Sequence, residues 1–419
     1  MKLDCPQHWK LVTHSEIAEI NPKLPANGLG DNLEVSFVPM KSVEERTNTV
    51  HLVESRRIGT VRKGYTPFID GDVILAKITP CLENGKCAVL HGLKNGIGFG
   101  STEFHVSRPS KGVLAEFLFH FFNQEGFRRY ARNNMTGSVG QKRVPTQFFR
   151  DLNIPLPPME EQERIVAKIE ELFSELDAGV EGLKKAQAQL KTYRQSVLKH
   201  AFEGRLTNDN IKDGQLPDGW SEFLTKQIAE VRLGRQRSPK NATGDFLCRY
   251  IRAANITWSG INLEDVKVMN FSPREQSVYR LQEGDVLLNE ASGSVSEVGK
   301  SAIWYGEIEG CCFQNTVIRV RPGERVGSKF LQLRFYYDAI SENFRSIARG
   351  VGIHHLGAEA LSNWKILVPS LDEQQRIVAE IESRLSVCDK MEEAIRAGLK
   401  QSEALRQSIL KKAFEGRLV

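Results

Sequence analysis

Long apolar runs are missing from this chain. No window approaches 18 consecutive apolar residues, and the opening MKLDCPQHWK holds neither an apolar core nor a cleavage pattern. A membrane span and an export signal are therefore not read, no membrane partner is expected, and a cytoplasmic location is. Cysteine is scarce as well. The seven thiols (Cys5, Cys81, Cys87, Cys248, Cys311, Cys312, Cys388) are odd in number and form no C-x-x-C pair. That pattern argues against a disulfide framework or zinc site and for reduced, mostly buried cysteines. Charge of neither sign dominates: 57 Lys and Arg face 52 Asp and Glu, a net of +5.

What the chain does have is a repeat. Residues 160–206 read EEQERIVAKIEELFSELDAGVEGLKKAQAQLKTYRQSVLKHAFEGRL, and residues 372–418 read DEQQRIVAEIESRLSVCDKMEEAIRAGLKQSEALRQSILKKAFEGRL, with no gap and about half the positions identical. Steps of seven from Gln162 reach Ile169, Leu176, Leu183, Leu190 and Val197, and steps from Ile165 reach Leu172, Gly179, Ala186 and Tyr193. This heptad pattern predicts two long helices. The second copy keeps one row as Ile381, Cys388, Ile395 and Ile409 and a looser one as Ile377, Met391 and Leu405. Pro157-Pro158 and Pro369-Ser370 mark the starts, and acidic residues follow in each first turn. Gly204 and Gly416 mark the ends. A lone helix of this length needs a cover for its apolar stripe, so the two copies are expected to pair antiparallel. The division read from this is 1–155, 156–206, 207–368 and 369–419, two variable blocks each followed by a spacer helix.

Both blocks open alike, Trp9 and Ile17-Ala18-Glu19 being answered by Trp220 and Ile228-Ala229-Glu230. Short β-branched runs follow, VSFVPM, DVILAKI and TEFHVS in the first block and RYIRAANI, DVLLNE and TVIRVRP in the second. Turn residues separate them, as in a curved β-sheet. Each block closes with a helical stretch and a Gly-rich turn, so the fold class is α+β with a pseudo-twofold internal repeat. The positive excess lies in the first block, which carries +5 over residues 1–155. Arg128, Arg129, Arg132, Lys142, Arg143 and Arg150 crowd its end, while Arg232, Arg235, Arg237, Lys240, Arg249 and Arg252 crowd the start of the second block. Such clusters suit phosphate neutralisation.

Catalytic constellations are thin. Gly293 to Ser301 imitates a phosphate-binding loop but has five residues between its glycines where four are needed, and SAIWY after it reads as a strand. No Asn/Asp-Pro-Pro-aromatic tetrapeptide, Gly-x-Ser-x-Gly or His-Glu-x-x-His occurs, and His354-His355 lack convergent metal ligands. The chain reads as a binder, with no catalytic residues and no metal.

Three stretches, GYTPFIDGDVILAKITPCLENGKCAVL, NGIGFGSTEFHVSRP and NIPLPPMEEQERIVAKIE, closely resemble the DNA-specificity subunit of type I restriction-modification systems. The second half does the same through YIRAANI, GDVLLNEASGSVSEVGKSAI and CCFQNTVIRVRP. The resemblance covers essentially the whole chain. It implies two target recognition domains, each reading one half of a split, asymmetric site in double-stranded DNA, held apart by antiparallel coiled-coil helices. It implies two modification subunits, which bind S-adenosylmethionine and methylate adenine, and restriction subunits that use ATP, with no cofactor in this chain. A coiled-coil scaffold or a regulatory DNA-binding protein outside a restriction system is the competing reading. Base and phosphate contacts are expected from Lys77, Thr79, Asn84, Lys86, Ser101, Thr102, Arg128, Arg129, Arg132, Gln141, Lys142 and Arg143 in the first block. In the second they are expected from Arg235, Arg237, Asn289, Ser292, Ser294, Ser296, Lys300, Gln314, Asn315, His354 and His355.

Overall fold

Apolar residues at alternate positions of one short strand, buried on both sides, explain how each block is layered. In Val73–Ala76 every residue is buried. Val73 and Leu75 enter one core, and Ile74 enters another with Ala88 and Val106. A strand covered on both faces reads as a continuous apolar run. Val286–Asn289 repeats this, with Val286 and Leu288 on one side and Leu287 on the other.

The computed structural model describes the chain apart from residues 1–4, 25–28, 52–53, 139, 209–214, 216, 293–296 and 351–353. It divides into two units, Met1–Leu183 with Arg396–Val419, and Lys184–Ile395. In the first, β1 (Ala18–Ile20), β2 (Val73–Ala76), β3 (Cys87–Val89) and β4 (Phe104–Pro109) form an antiparallel sheet in the order β1-β4-β2-β3. A second four-stranded sheet, Glu54–Arg57, Glu34–Val38, Ile97–Gly100 and Thr66–Ile69, contains one parallel pair. The single curved sheet expected from the sequence is therefore split into two four-stranded sheets, and Lys10–Thr13 pairs separately with Asn153–Leu156. Helices α1 (Ala115–Asn123) and α2 (Glu125–Asn133) follow, and α1 buries Phe117, Leu118, Phe119, Phe121 and Phe122. The long helix α3 (Met159–Phe202) then begins.

The second unit repeats the order with β5 (Ala229–Leu233), β6 (Val286–Asn289), β7 (Ser301–Ile303) and β8 (Val317–Pro322) as β5-β8-β6-β7. Helix α4 (Ser328–Ile340) packs on that sheet and the second long helix, α5 (Leu371–Phe414), leaves it.

Both long helices start one residue before the expected 160 and 372, and both are 44 residues long. Their ends carry the same devices. Gln162 is fully buried: its Oε1 accepts from Leu114 N at 3.0 Å and its Nε2 donates to Gly112 O and Pro157 O. Gln374 does the same with Gly327 N, Arg325 O and Pro369 O. At the other ends Gly204 and Gly416 take φ of +78° and +66°. Arg205 N reaches His200 O and Arg417 N reaches Lys412 O, each at 2.8 Å, which closes the last turn in a Schellman motif.

Each unit takes a stretch of both helices. In the first, Ile165 and Ile169 of α3 share a core with Ile409, Leu410, Ala413 and Phe414 of α5, and Arg406 pairs with Asp177. In the second, Leu198, Ala201 and Phe202 of α3 share a core with Ile377 and Ile381 of α5, and Arg194 bridges Asp389 and Glu392 at 2.6 and 3.0 Å. The apolar row through Ile169, Leu190, Val197, Ile381, Cys388, Ile395 and Ile409 is buried. The second row is buried at Ile165 and Ile377 but departs from expectation farther along. Tyr193, Met391 and Leu405 are 46, 54 and 47% exposed, because a helix pair covers one stripe of each partner and leaves the flanking stripe open. Among the described residues no helix is long and apolar enough to cross a membrane.

Candidate nucleic-acid interface

Two backbone frames of the same design stand at the ends of the central strands. Just after β2, Lys77 donates its N–H to Glu103 O at 2.9 Å, and its carbonyl accepts from Val144 N at 2.8 Å. Thr79 N donates to Lys142 O, and Thr136 and Arg143 exchange a pair of backbone bonds. The loop after β2, the residue before β4 and the turn Gln141-Lys142-Arg143 thereby form one platform. After β6, Glu290 N donates to Thr316 O at 3.0 Å and Glu290 O accepts from Leu356 N at 2.7 Å. Arg349 and His355 exchange the matching pair, and Ala291–Ser292 pairs with His354–His355. Even the supports match: buried Asp72 is held by Arg108 and buried Asp285 by Arg321, with N–O distances of 2.8 and 2.7 Å.

The side chains on the two frames differ. On the first, Gln141, Lys142 and Arg143 are exposed and Lys77 is half-buried. Arg143 grips Glu103 through Nε and Nη2 at 2.8–3.1 Å, which holds the Glu103 carboxyl below its usual range. Thr79 turns its hydroxyl inward to Met135 Sδ, Ser101 Oγ accepts from Glu103 N, and Thr102 is exposed. On the second, His355 Nδ1 lies 3.1 Å from Glu290 Oε1, His354 is half-buried, and Asn289 is buried with its Oδ1 lacking a hydrogen bond. Gln314, Asn315 and Ser292 are half-buried nearby in sequence. Ser294 and Ser296 lie outside the described residues.

Several expected contacts have other work. Arg128 is 6% exposed, donates to Asn123 O at 2.6 Å, and its charge is disfavoured by burial and by Arg46, so it is a framework group and not a phosphate contact. Lys86 Nζ caps the carbonyls of Met40 and Val43, and Asn84 donates to Glu45. Arg235 is held by Glu275 and Asn270 O, and Lys300 by Glu297 at 3.1 Å and the Trp258 ring at 5.4 Å, so both expected contacts are engaged within the fold. A basic cluster in sequence gives no sign of which cations the fold will use internally. Arg129, Arg132 and Arg237 remain exposed. Arg129 and Arg132 line a cleft of about 610 Å³ with Arg46, Lys400 and Glu403. The sequence reading missed Glu103 and Glu290, since acids were passed over in a search for DNA-binding groups, and it missed Arg349, which lies outside the two basic clusters; aligning DVILAK with DVLLNE would have paired Lys77 with Glu290. Among the described residues no cluster of His, Cys, Asp and Glu is placed to hold a metal.

A family model described as the type I restriction modification DNA specificity domain matches residues 6–185 and again 217–401. The chain is 28% identical to the EcoAI specificity subunit of Escherichia coli over 94% of this chain and 80% of that one. It is 21% identical to the MjaVIII specificity subunit of Methanocaldococcus jannaschii, over 99% and 94%. A solved chain from work on complex assembly and conformational transition of the type I R-M system superposes with a TM-score of 0.79 at 22% identity, covering all of both chains. The HsdS subunit from Thermoanaerobacter tengcongensis superposes at 0.63 and 21%, over 99% and 98%. Both share the fold.

Proposed function

The chain belongs to the type I restriction-modification DNA specificity family as a sequence-specificity subunit, and from that premise we propose how its parts divide the work. Residues 1–155 and 207–368 are the two target recognition domains. Each presents its platform to one half of a bipartite, asymmetric site in double-stranded DNA. Segments 156–206 and 369–419 are the antiparallel coiled-coil spacer between them. The observation that carries this reading is the repeated backbone frame with unlike side chains. One scaffold used twice gives two readers, and unlike side chains give two sequences.

The chain itself is non-catalytic and binds no cofactor. Two modification subunits supply S-adenosylmethionine and methylate adenine, and restriction subunits supply ATP-driven cleavage, in the cytoplasm. Long-read methylation mapping of the host genome tests the reading. Two unlike half-sites separated by a fixed gap are expected, lost together when the gene is deleted. A continuous or palindromic site, or a methylome unchanged by the deletion, overturns it.

A further inference from the structure

The two platforms differ most where their backbones agree best. Lys77 and Glu290 occupy the same place in the frame, bonded through N–H and carbonyl to equivalent neighbours. Their side chains therefore leave from matching points, and one is a cation where the other is an anion. On the first platform the Glu103 carboxylate is gripped by Arg143 through both oxygens and also feels the Lys77 charge, while among the described residues no hydrogen bond or ion pair engages the Lys77 ammonium. That frame offers donors. On the second, the Glu290 carboxylate keeps 17% of its side-chain surface open and meets a single ring nitrogen of His355, so acceptor lone pairs remain.

A carboxylate on a surface that approaches a polyanion is repelled by it unless it accepts from a base. The bases that offer such a donor in the major groove carry an exocyclic amine, N4 of cytosine or N6 of adenine. An ammonium at the same place meets instead the O6 and N7 acceptors of guanine. Resting on the reading of the platforms as base-facing surfaces, we propose that this one backbone-equivalent position gives the two domains opposite hydrogen-bond polarity. Lys77 selects guanine in one half-site, and Glu290 selects an amine-bearing base in the other.

The test uses the assembled methyltransferase complex on a library randomised across both half-sites, read by methylation sequencing and by selection for binding. Lys77→Met should relax one position of one half-site roughly ten- to hundredfold, the range a good base contact supplies, and leave the other half-site intact. Glu290→Gln should relax one position of the other half-site, and Glu290→Lys should turn that position towards guanine. Unchanged half-sites overturn the assignment. So does a Lys77→Met complex whose salt slope falls by about one with no change of sequence preference, the signature of a phosphate contact. Loss of binding to every sequence in a normally folded variant also overturns it, since one base contact does not carry the general affinity. The double variant Gln141→Ala, Lys142→Ala separates the two layers of the argument. If it alters a half-site while the Lys77 and Glu290 variants do not, only the polarity assignment fails; if it alters neither, the platforms are not the reading surfaces.

Discussion

Three imidazoles, those of His14, His105 and His120, are at most 4% exposed in the core of the first unit. His105 Nε2 donates to Val144 O at 2.9 Å, beside the platform turn, and Asn21 donates to its Nδ1 at 3.3 Å, so the neutral ring is satisfied and the charged ring would set two donors face to face. Burial pulls His14 and His105 down to about 4 and His120 to about 3. The folded values lie below the unfolded one near 6.5, so unfolding takes up protons. The stability these rings confer is complete above about pH 6.5 and drains as pH falls towards 4. At pH 5 each ring costs up to about 2 kcal/mol relative to pH 7. The second unit has no buried imidazole among its described residues. Urea denaturation at pH 7 and pH 5, with fragments assigned by limited proteolysis, should show the first unit weakening ahead of the second; equal loss in both would remove the imidazoles as the cause. None of this burial was visible in the sequence, where a His in an apolar run and a His in a loop look alike.

Elements were more legible than residues, for a physical reason. A 44-residue helix repeats its apolar signal many times, and the flanking Pro and Gly fix its ends from the backbone outwards. VSFVPM, DVILAKI and TVIRVRP likewise read as strands and are strands. What the pattern did not carry was which row of the helices stays open, since Tyr193, Met391 and Leu405 look as apolar as their buried neighbours. Nor did it carry the split into two sheets, which depends on long-range pairing. The helix ends give a sharp prediction. At Gly204 an added Cβ would overlap the Pro217 ring, and at Gly416 the Pro6 ring, with a left-handed φ at both. Gly204→Ala should destabilise the second unit and Gly416→Ala the first, each by more than the ~1 kcal/mol of the backbone conformation alone. Denaturation midpoints read separately for the two units decide it, and a loss of under ~0.5 kcal/mol would mean the proline contact yields freely.

At the scale of the whole molecule, the 47-residue repeat at 160–206 and 372–418 bears on the target as well as on stability. On the proposed division into two recognition domains and a spacer, the spacing of the target should be a property of helix length. Seven residues added to α3 near Lys184 and seven to α5 near Arg396 keep the apolar row in phase, two turns of helix each. They add about 10 Å, or about three base pairs of duplex at 3.4 Å per pair. The expected outcome is a methylome whose two half-sites are unchanged and whose gap has grown by about three base pairs. Lengthening α3 alone should abolish methylation, because the ion pairs Arg194 with Asp389 and Arg406 with Asp177, on opposite sides of the insertion, could then not both keep their register. An unaltered gap with intact activity in the double insertion would show that the spacing is set elsewhere. Altered half-sites would show that the helices shape the reading surfaces themselves, and with them that the division between reader and spacer is misplaced.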